Sequence, residues 1–210
     1  MIAIAICDVK SGRDEEAYDF IEKLESSQQV TPLLIGRLFE SADAVLLLHC
    51  VDMESLDDYL MEKIRSNIDI QELVIVPIYE FKLLSSFDFM VDLELEVAET
   101  EQLVSEDFLL FMAKIDVAPT KDKAVYDYAE SIQQTDENVP LMLGHTFHSE
   151  EFDLVLFFLS KNLERAWEFA KMLRAIDGVL DSEINLVAHF EGLVTLEQFK
   201  ELGSAPRSSE

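Results

Sequence analysis

DAVLLLHCVD, residues 43–52, and DLVLFFLSKN, residues 153–162, are one element written twice. Each opens on an aspartate, runs through an unbroken apolar stretch of strand length, and closes on Asp52 or Asn162, residue types that cap the start of a helix. A strand with one face in water alternates apolar with polar residues, so these strands are expected to be covered on both faces. The repetition extends outward. A shift of 108 positions carries Asp8, Val9, Asp14, Tyr18, Asp19, Glu22, Pro32, Leu33, Gly36 and Phe39 onto Asp116, Val117, Asp122, Tyr126, Asp127, Glu130, Pro140, Leu141, Gly144 and Phe147. Past the hairpin the register slips by two residues, and Asp43, Val45, Leu46 and Glu54 meet Asp153, Val155, Leu156 and Glu164. A period this long is that of a small domain, not of a solenoid repeat.

Each copy reads as β-α-β-β-α-β. In the first, strands are predicted over residues 2–9, 31–39, 42–51 and 70–81. A helix over 11–24 carries Ala17, Phe20, Ile21 and Leu24 on one face, with Asp14, Glu15 and Glu16 where the helix dipole favours acids. A second helix begins after Asp52, with Leu56, Tyr59, Leu60 and Ile64 as its stripe. In the second copy the strands are 108–117, 139–147, 152–160 and 179–190, and the helices 120–133 and 162–175. A crossover helix after the first and third strands, with a hairpin between, is the ferredoxin-like arrangement. Helices cover one face of each sheet. The economical cover for the other is the sheet of the second copy, so the fold class is α+β: two tandem ferredoxin-like domains packed sheet to sheet as an intrachain pseudo-dimer.

The expected division is 1–84 for the first domain, 85–106 for a connection, 107–193 for the second domain, and 194–210 for a short helix and tail. Within the connection, residues 87–97 alternate apolar with acidic and read as an extra half-buried strand. Thr195 with Gln198 forms a capping box for a helix over 195–202.

The chain has 210 residues, and 16 basic against 43 acidic residues leave a formal charge of −27. Such a surface repels phosphate, which excludes direct binding to nucleic acid. No apolar run reaches the length of a membrane span, and the sequence opens without a signal-peptide pattern, so a cytoplasmic location is expected. Cys7 and Cys50 lie in apolar runs without metal-ligand spacing and read as buried thiols.

The stretches Asp43–Leu48, Val51–Leu56 and Ile64–Ser66, with Phe152–Leu156, Asn162–Glu164 and Leu173–Val179 in the second copy, resemble the effector-binding (RAM) domain of Lrp/AsnC-type regulators. That resemblance implies a ferredoxin-like domain pairing sheet to sheet, in the dimeric α/β-barrel manner. It also implies an amino-acid-like effector near the turn between the second and third strands. On this chain the implied positions are Ser41 and Asp43 in the first copy and Glu151 and Asp153 in the second. An aspartate there has an alternative use, holding the hairpin through backbone hydrogen bonds. The glycine usual before the turn is replaced by Glu40 and Glu150 or their neighbours. In such regulators a helix-turn-helix precedes the domain, whereas this sequence starts on the first strand.

The function read from these features is a small-molecule effector-sensing or regulatory module. It has no expected cofactor or metal, and its partners would be an effector, a regulator protein or a second copy. The alternatives are an enzyme of the same barrel class, haem-dependent or cofactor-free, and a scaffold. No catalytic constellation is visible. His145 and His148 are three apart on a strand and so face opposite ways, His49 and His189 stand in apolar runs, and His189 is the one candidate for a haem ligand. Tyr18 and Tyr126 are expected between helix and sheet, and Trp167 in core or interface.

Overall fold

The computed structural model describes residues 1–38, 44–84, 108–146, 149 and 151–192, with side chains up to residue 188. Among these the elements are β1 (Ile2–Val9), α1 (Asp14–Glu22), β2 (Val30–Leu38), β3 (Ala44–Cys50), α2 (Met53–Lys63) and β4 (Ile70–Leu83), then β5 (Leu109–Val117), α3 (Asp122–Glu130), β6 (Asn138–Thr146), β7 (Leu154–Ser160), α4 (Leu163–Arg174) and β8 (Val179–Gly192). The expected strand over 87–97 and helix over 195–202 lie outside the described residues.

The caps behave as their residue types dictate. Ser55 N–H donates to Asp52 Oδ1 at 2.8 Å to start α2, and Arg165 N–H donates to Asn162 Oδ1 at 3.0 Å to start α4. Of the predicted stripes, Ala17 and Ile21 on α1 and Leu56, Tyr59, Leu60 and Ile64 on or at the end of α2 are buried, while Phe20 and Leu24 pack against the same cluster half-buried. Trp167 is not in the core. Burial on α4 falls to Ala166, Phe169, Ala170 and Leu173, and the indole is 46% exposed because its position is rotated off that stripe.

The eight strands form one closed antiparallel barrel in the order β1-β3-β2-β8-β5-β7-β6-β4. The two sheets therefore do more than face each other. The edge strands β2 and β4 of the first copy hydrogen-bond to β8 and β6 of the second, so among the described strands no sheet edge is left unpaired. Equivalent strands run the same way, which makes the barrel axis the pseudo-two-fold axis. The irregularities repeat as well. Bulges fall at Pro32/Leu34 and Pro140/Met142, where a proline can sit without breaking the ladder, and at Asp8/Val9 and Asp116/Val117. Gly144 lies where β6 meets β4. A Cβ there would stand 2.9 Å from both Ile78 Cδ1 and Val155 Cγ1, so any larger residue would push these side chains aside.

Three apolar clusters follow. Ile21, Leu46, Leu56 and their neighbours fill the space between the first sheet and its helices, and Phe111, Phe158, Phe169 and their neighbours do so in the second copy. The third lies inside the barrel and draws on all eight strands, with Ile4, Leu34, Leu47, Met112, Met142 and Phe157 each no more than 4% exposed. Full burial of a side chain of this size contributes about 1.5–3 kcal/mol, so the barrel interior is a packed core along much of its length.

Candidate functional site

Register shows which side chains enter the barrel, because cross-strand partners share a face. In the first copy β1 sends in Ile2, Ile4, Ile6 and Asp8, and β4 places Ile78, Val76, Val74 and Glu72 opposite them. In the second, β5 sends in Leu110, Met112, Lys114 and Asp116, opposite Val187, Asn185, Glu183 and Asp181 of β8. The two columns start alike and then part. Above the first layer the first copy stays apolar until Asp8 and Glu72 at the mouth, whereas the second turns polar from Asn185 upward.

This polar column is the candidate site. Asn185 Nδ2 donates to Glu183 Oε1 at 2.8 Å, and Asn185 Oδ1 is buried with no hydrogen-bond partner. Lys114 is half-buried. Of the three half-buried cations among the described residues, Arg37 pairs with Asp14 and Arg165 with Glu137 and Glu168, while Lys114 is in no described ion pair. Asp116 is open at the mouth, yet its carboxyl is pushed above the usual aspartate value, first by partial burial and then by the negative charges of Asp153, Asp181 and Glu183. A carboxylate held in this way is a stronger proton acceptor than a free one. The site thus holds a carboxyl group, a cation and an unsatisfied acceptor on one wall.

Asp153 stands beside this wall. Its Oδ2 accepts from Val117 N–H at 2.6 Å, its own N–H donates to Ile115 O at 3.0 Å, and its carbonyl accepts from Thr146 N–H at 2.8 Å. Those bonds tie the start of β7 to the ends of β5 and β6, the hairpin-holding use of an aspartate. Glu151 is exposed, and its N–H donates to Ser149 Oγ at 3.0 Å. Ser41 and Asp43 lie outside the described residues. Asp153 and Asp116 are therefore brought into electrostatic contact, and Lys114, Glu183 and Asn185 are additions that sequence reasoning passed over. The signal was present: the apolar run of β5 breaks at Lys114, where the first copy has Ile6.

The histidines are dispersed. His49 is on the inner face at the opposite mouth, paired in register with Ile2 and Thr31. His145 points out of the barrel at the β4–β6 seam, 9% exposed, with Tyr79 Oη 3.0 Å from its Nε2 and the Tyr126 ring stacked on it at 5.6 Å between centroids. Burial pushes the His145 ring below the ordinary histidine value, against the opposing pull of Asp122, Glu80 and Asp153. His148 and the side chain of His189 lie outside the description. Cys7 and Cys50 are buried thiols, and no group of His, Cys, Asp or Glu among the described residues has metal-binding geometry.

No protein-family model matches the sequence, and no curated protein matches it either. Solved structures do match in shape. A monooxygenase-like protein from Lactobacillus acidophilus NCFM superposes with a TM-score of 0.54 at 8% identity, covering 91% of this chain and 95% of that one. The siroheme decarboxylase NirDL gives 0.57 at 13% identity, covering 96% and 78%. An anthrone oxidase-like protein gives 0.52 at 8%, covering 93% and 94%. These likenesses establish the fold, the dimeric α/β barrel, here built from two copies within one chain. No helix among the described residues is long and apolar enough to cross a membrane.

Proposed function

We propose that the chain is an enzyme that removes a proton from a small, weakly acidic organic molecule at the mouth of the barrel, with Asp116 as the base. The observation that carries this reading is the polar column of the second copy, set against an apolar column at the equivalent positions of the first. Packing alone requires nothing polar there, because the first copy closes the same barrel with Ile6, Val74 and Val76. Asp116 takes the proton, and the ammonium of Lys114 on the same wall stabilises the anion that forms. Support for oxidation as the overall reaction comes from the monooxygenase and anthrone oxidase names among the structural neighbours. An enolisable CH2 ketone deprotonated in this way can give its electrons to dioxygen. One dioxygen is consumed, the CH2 becomes a carbonyl, and one water leaves with the abstracted proton returned to oxygen.

The siroheme decarboxylase neighbour brings a tetrapyrrole into question. The residues at this mouth do not fit one with carboxylate side chains: one half-buried lysine is set among Asp116, Asp153, Asp181 and Glu183, and His145 faces away from the barrel.

The test is oxygen uptake with a ring-hydroxylated anthrone as the probe. Asp116→Asn is expected to lower kcat/KM by about a hundredfold or more, the usual share of a general base. Asp8→Asn, the same position in the other copy, is expected to leave the rate unchanged. The rate should rise with pH through the raised Asp116 value and then level off. No uptake with the native protein, or equal loss in both variants, overturns the reading.

A second reading is effector sensing of the Lrp/AsnC kind, with an amino-acid-like ligand held by Asp43 and Asp153, with Ser41 and Glu151 beside them, and with a regulator protein or a second copy as partner. In its favour, Asp153 sits at the same mouth, beside the polar wall. Calorimetry with amino acids separates the two readings: under the second, binding is lost on Asp153→Ala without any oxygen uptake to accompany it.

A further inference from the structure

Asn185 faces Met112 across the β5–β8 ladder, one inward-pointing layer below Lys114 and Glu183 and two below Asp116. A carboxylate only accepts hydrogen bonds, so the 2.8 Å contact with Glu183 Oε1 identifies the nitrogen end of the amide and turns Oδ1 away from it. That Oδ1 is buried and makes no hydrogen bond. Buried acceptors are satisfied in the great majority of native structures, because an unmet one forfeits its hydration without replacement. The equivalent position in the first copy is Val76, fully buried and apolar, so the barrel does not need an amide at this layer to close.

We infer that Asn185 is the specificity-determining residue of the site, its Oδ1 accepting a hydrogen bond from an O–H or N–H group of the substrate. Lys114 lies diagonally across the ladder from Asn185, a separation of about 7–8 Å between backbones. One molecule with a carbonyl or anionic oxygen toward Lys114 and a hydroxyl or amino donor toward Asn185 spans the pair. The substrate class is therefore an enolisable ketone that carries a hydroxyl or amino donor about 7–8 Å from its carbonyl oxygen. This rests on the proton-transfer reading for the reaction, but its recognition element is separate. A site that presents a buried acceptor rejects the analogue lacking the matching donor, because the acceptor would then stay unpaired in the complex.

Calorimetry of the full chain with a matched pair of probes tests it: tetralone, and hydroxytetralone with the hydroxyl para to the carbonyl. The native protein is expected to bind the hydroxylated probe about fivefold more tightly, the effect of one neutral hydrogen bond. Asn185→Val, which installs the first copy's residue, is expected to abolish that preference. Asn185→Ser, whose shorter side chain withdraws the acceptor, provides a second replacement that should also lose it. Lys114→Met should weaken both probes alike. Equal affinity of the native protein for the two probes, a preference that survives Asn185→Val and Asn185→Ser, or no binding of either probe overturns the inference. Selective binding without oxygen uptake leaves the inference standing and overturns the proton-transfer reading.

Discussion

Ile6, Val74 and Val76 line the barrel in the first copy where Lys114, Glu183 and Asn185 line it in the second. A homodimer of one such domain would carry the same residue on both walls, so every polar group introduced for chemistry would appear twice in the core. Joining the copies in one chain removes that constraint. One wall keeps its packing and the other takes polar side chains. The seams differ in the same sense: Arg37 is tied to Asp14 at 2.6 Å in the first copy, and the position equivalent to Arg37 in the second is His145, packed between Tyr79 and Tyr126.

The most drastic way to break this comparison is to separate the copies. Each half alone exposes its inner face and two unpaired edge strands, so residues 1–84 and 107–193, expressed individually, are each expected to self-associate on light scattering. The first half, with its continuous apolar column, should form the tighter dimer, and the second should place the half-buried Lys114 and Asn185 in its core twice over and dissociate more readily. A monomeric first half would sink the pseudo-dimer account.

A gentler exchange of single residues sharpens it. Ile6→Lys places an unpaired ammonium where the wall is apolar and should cost on the order of 3–5 kcal/mol in urea unfolding. The reverse exchange, Lys114→Ile, should leave stability unchanged or raised by up to about 2 kcal/mol while binding and turnover are lost. Equal costs for the two exchanges would mean that the walls are not specialised.

Asp116→Asn gives a smaller effect on stability, with a sign that can be worked out. Its carboxyl is raised in the fold, so the folded protein holds the proton more tightly than the unfolded chain. The stabilisation from this group is complete below the unfolded value and is lost as pH rises through the folded one. At neutral pH the carboxylate is a net burden, and the asparagine variant is expected to melt at the same temperature as the native protein or slightly higher.

The smallest expected effect is at the seams. His145 is lowered by burial, so as pH falls below about 6.5 the unfolded chain takes up the proton first and stability declines until the folded value is passed. His145→Gln should flatten that part of the stability profile. His49 is shifted in the same direction by burial and by the amino terminus, so the comparison is made in a His49→Gln background. An Arg37→Gln variant should leave the pH slope in this window untouched. An unchanged slope in the His145 variant would place the pH response elsewhere.

Much of the fold was legible because it rests on local rules. The order of elements followed from apolar periodicity and from the caps Asp52 and Asn162, and the need for a second cover followed from strands without polar alternation. A core place for Trp167 fails because one aromatic near a helical stripe does not reveal on which side of the stripe it falls. The site was harder to see. Asp153 stood out through repetition, but its Oδ2 is engaged by a backbone amide of β5, a contact between segments 36 residues apart.

The sequence by itself determined that the protein is duplicated, that each copy is β-α-β-β-α-β, and that both faces of each sheet are buried, since these are consequences of spacing and hydrophobicity along the chain. Only the tertiary structure decided that the sheets join edge to edge into one closed barrel, and that Lys114, Asp116, Glu183 and Asn185 share a wall. Strand register between β5 and β8 brings together residues separated by about 70 positions, and register is fixed by bulges, glycine contacts and closure of the whole barrel, none of which is encoded in any single segment.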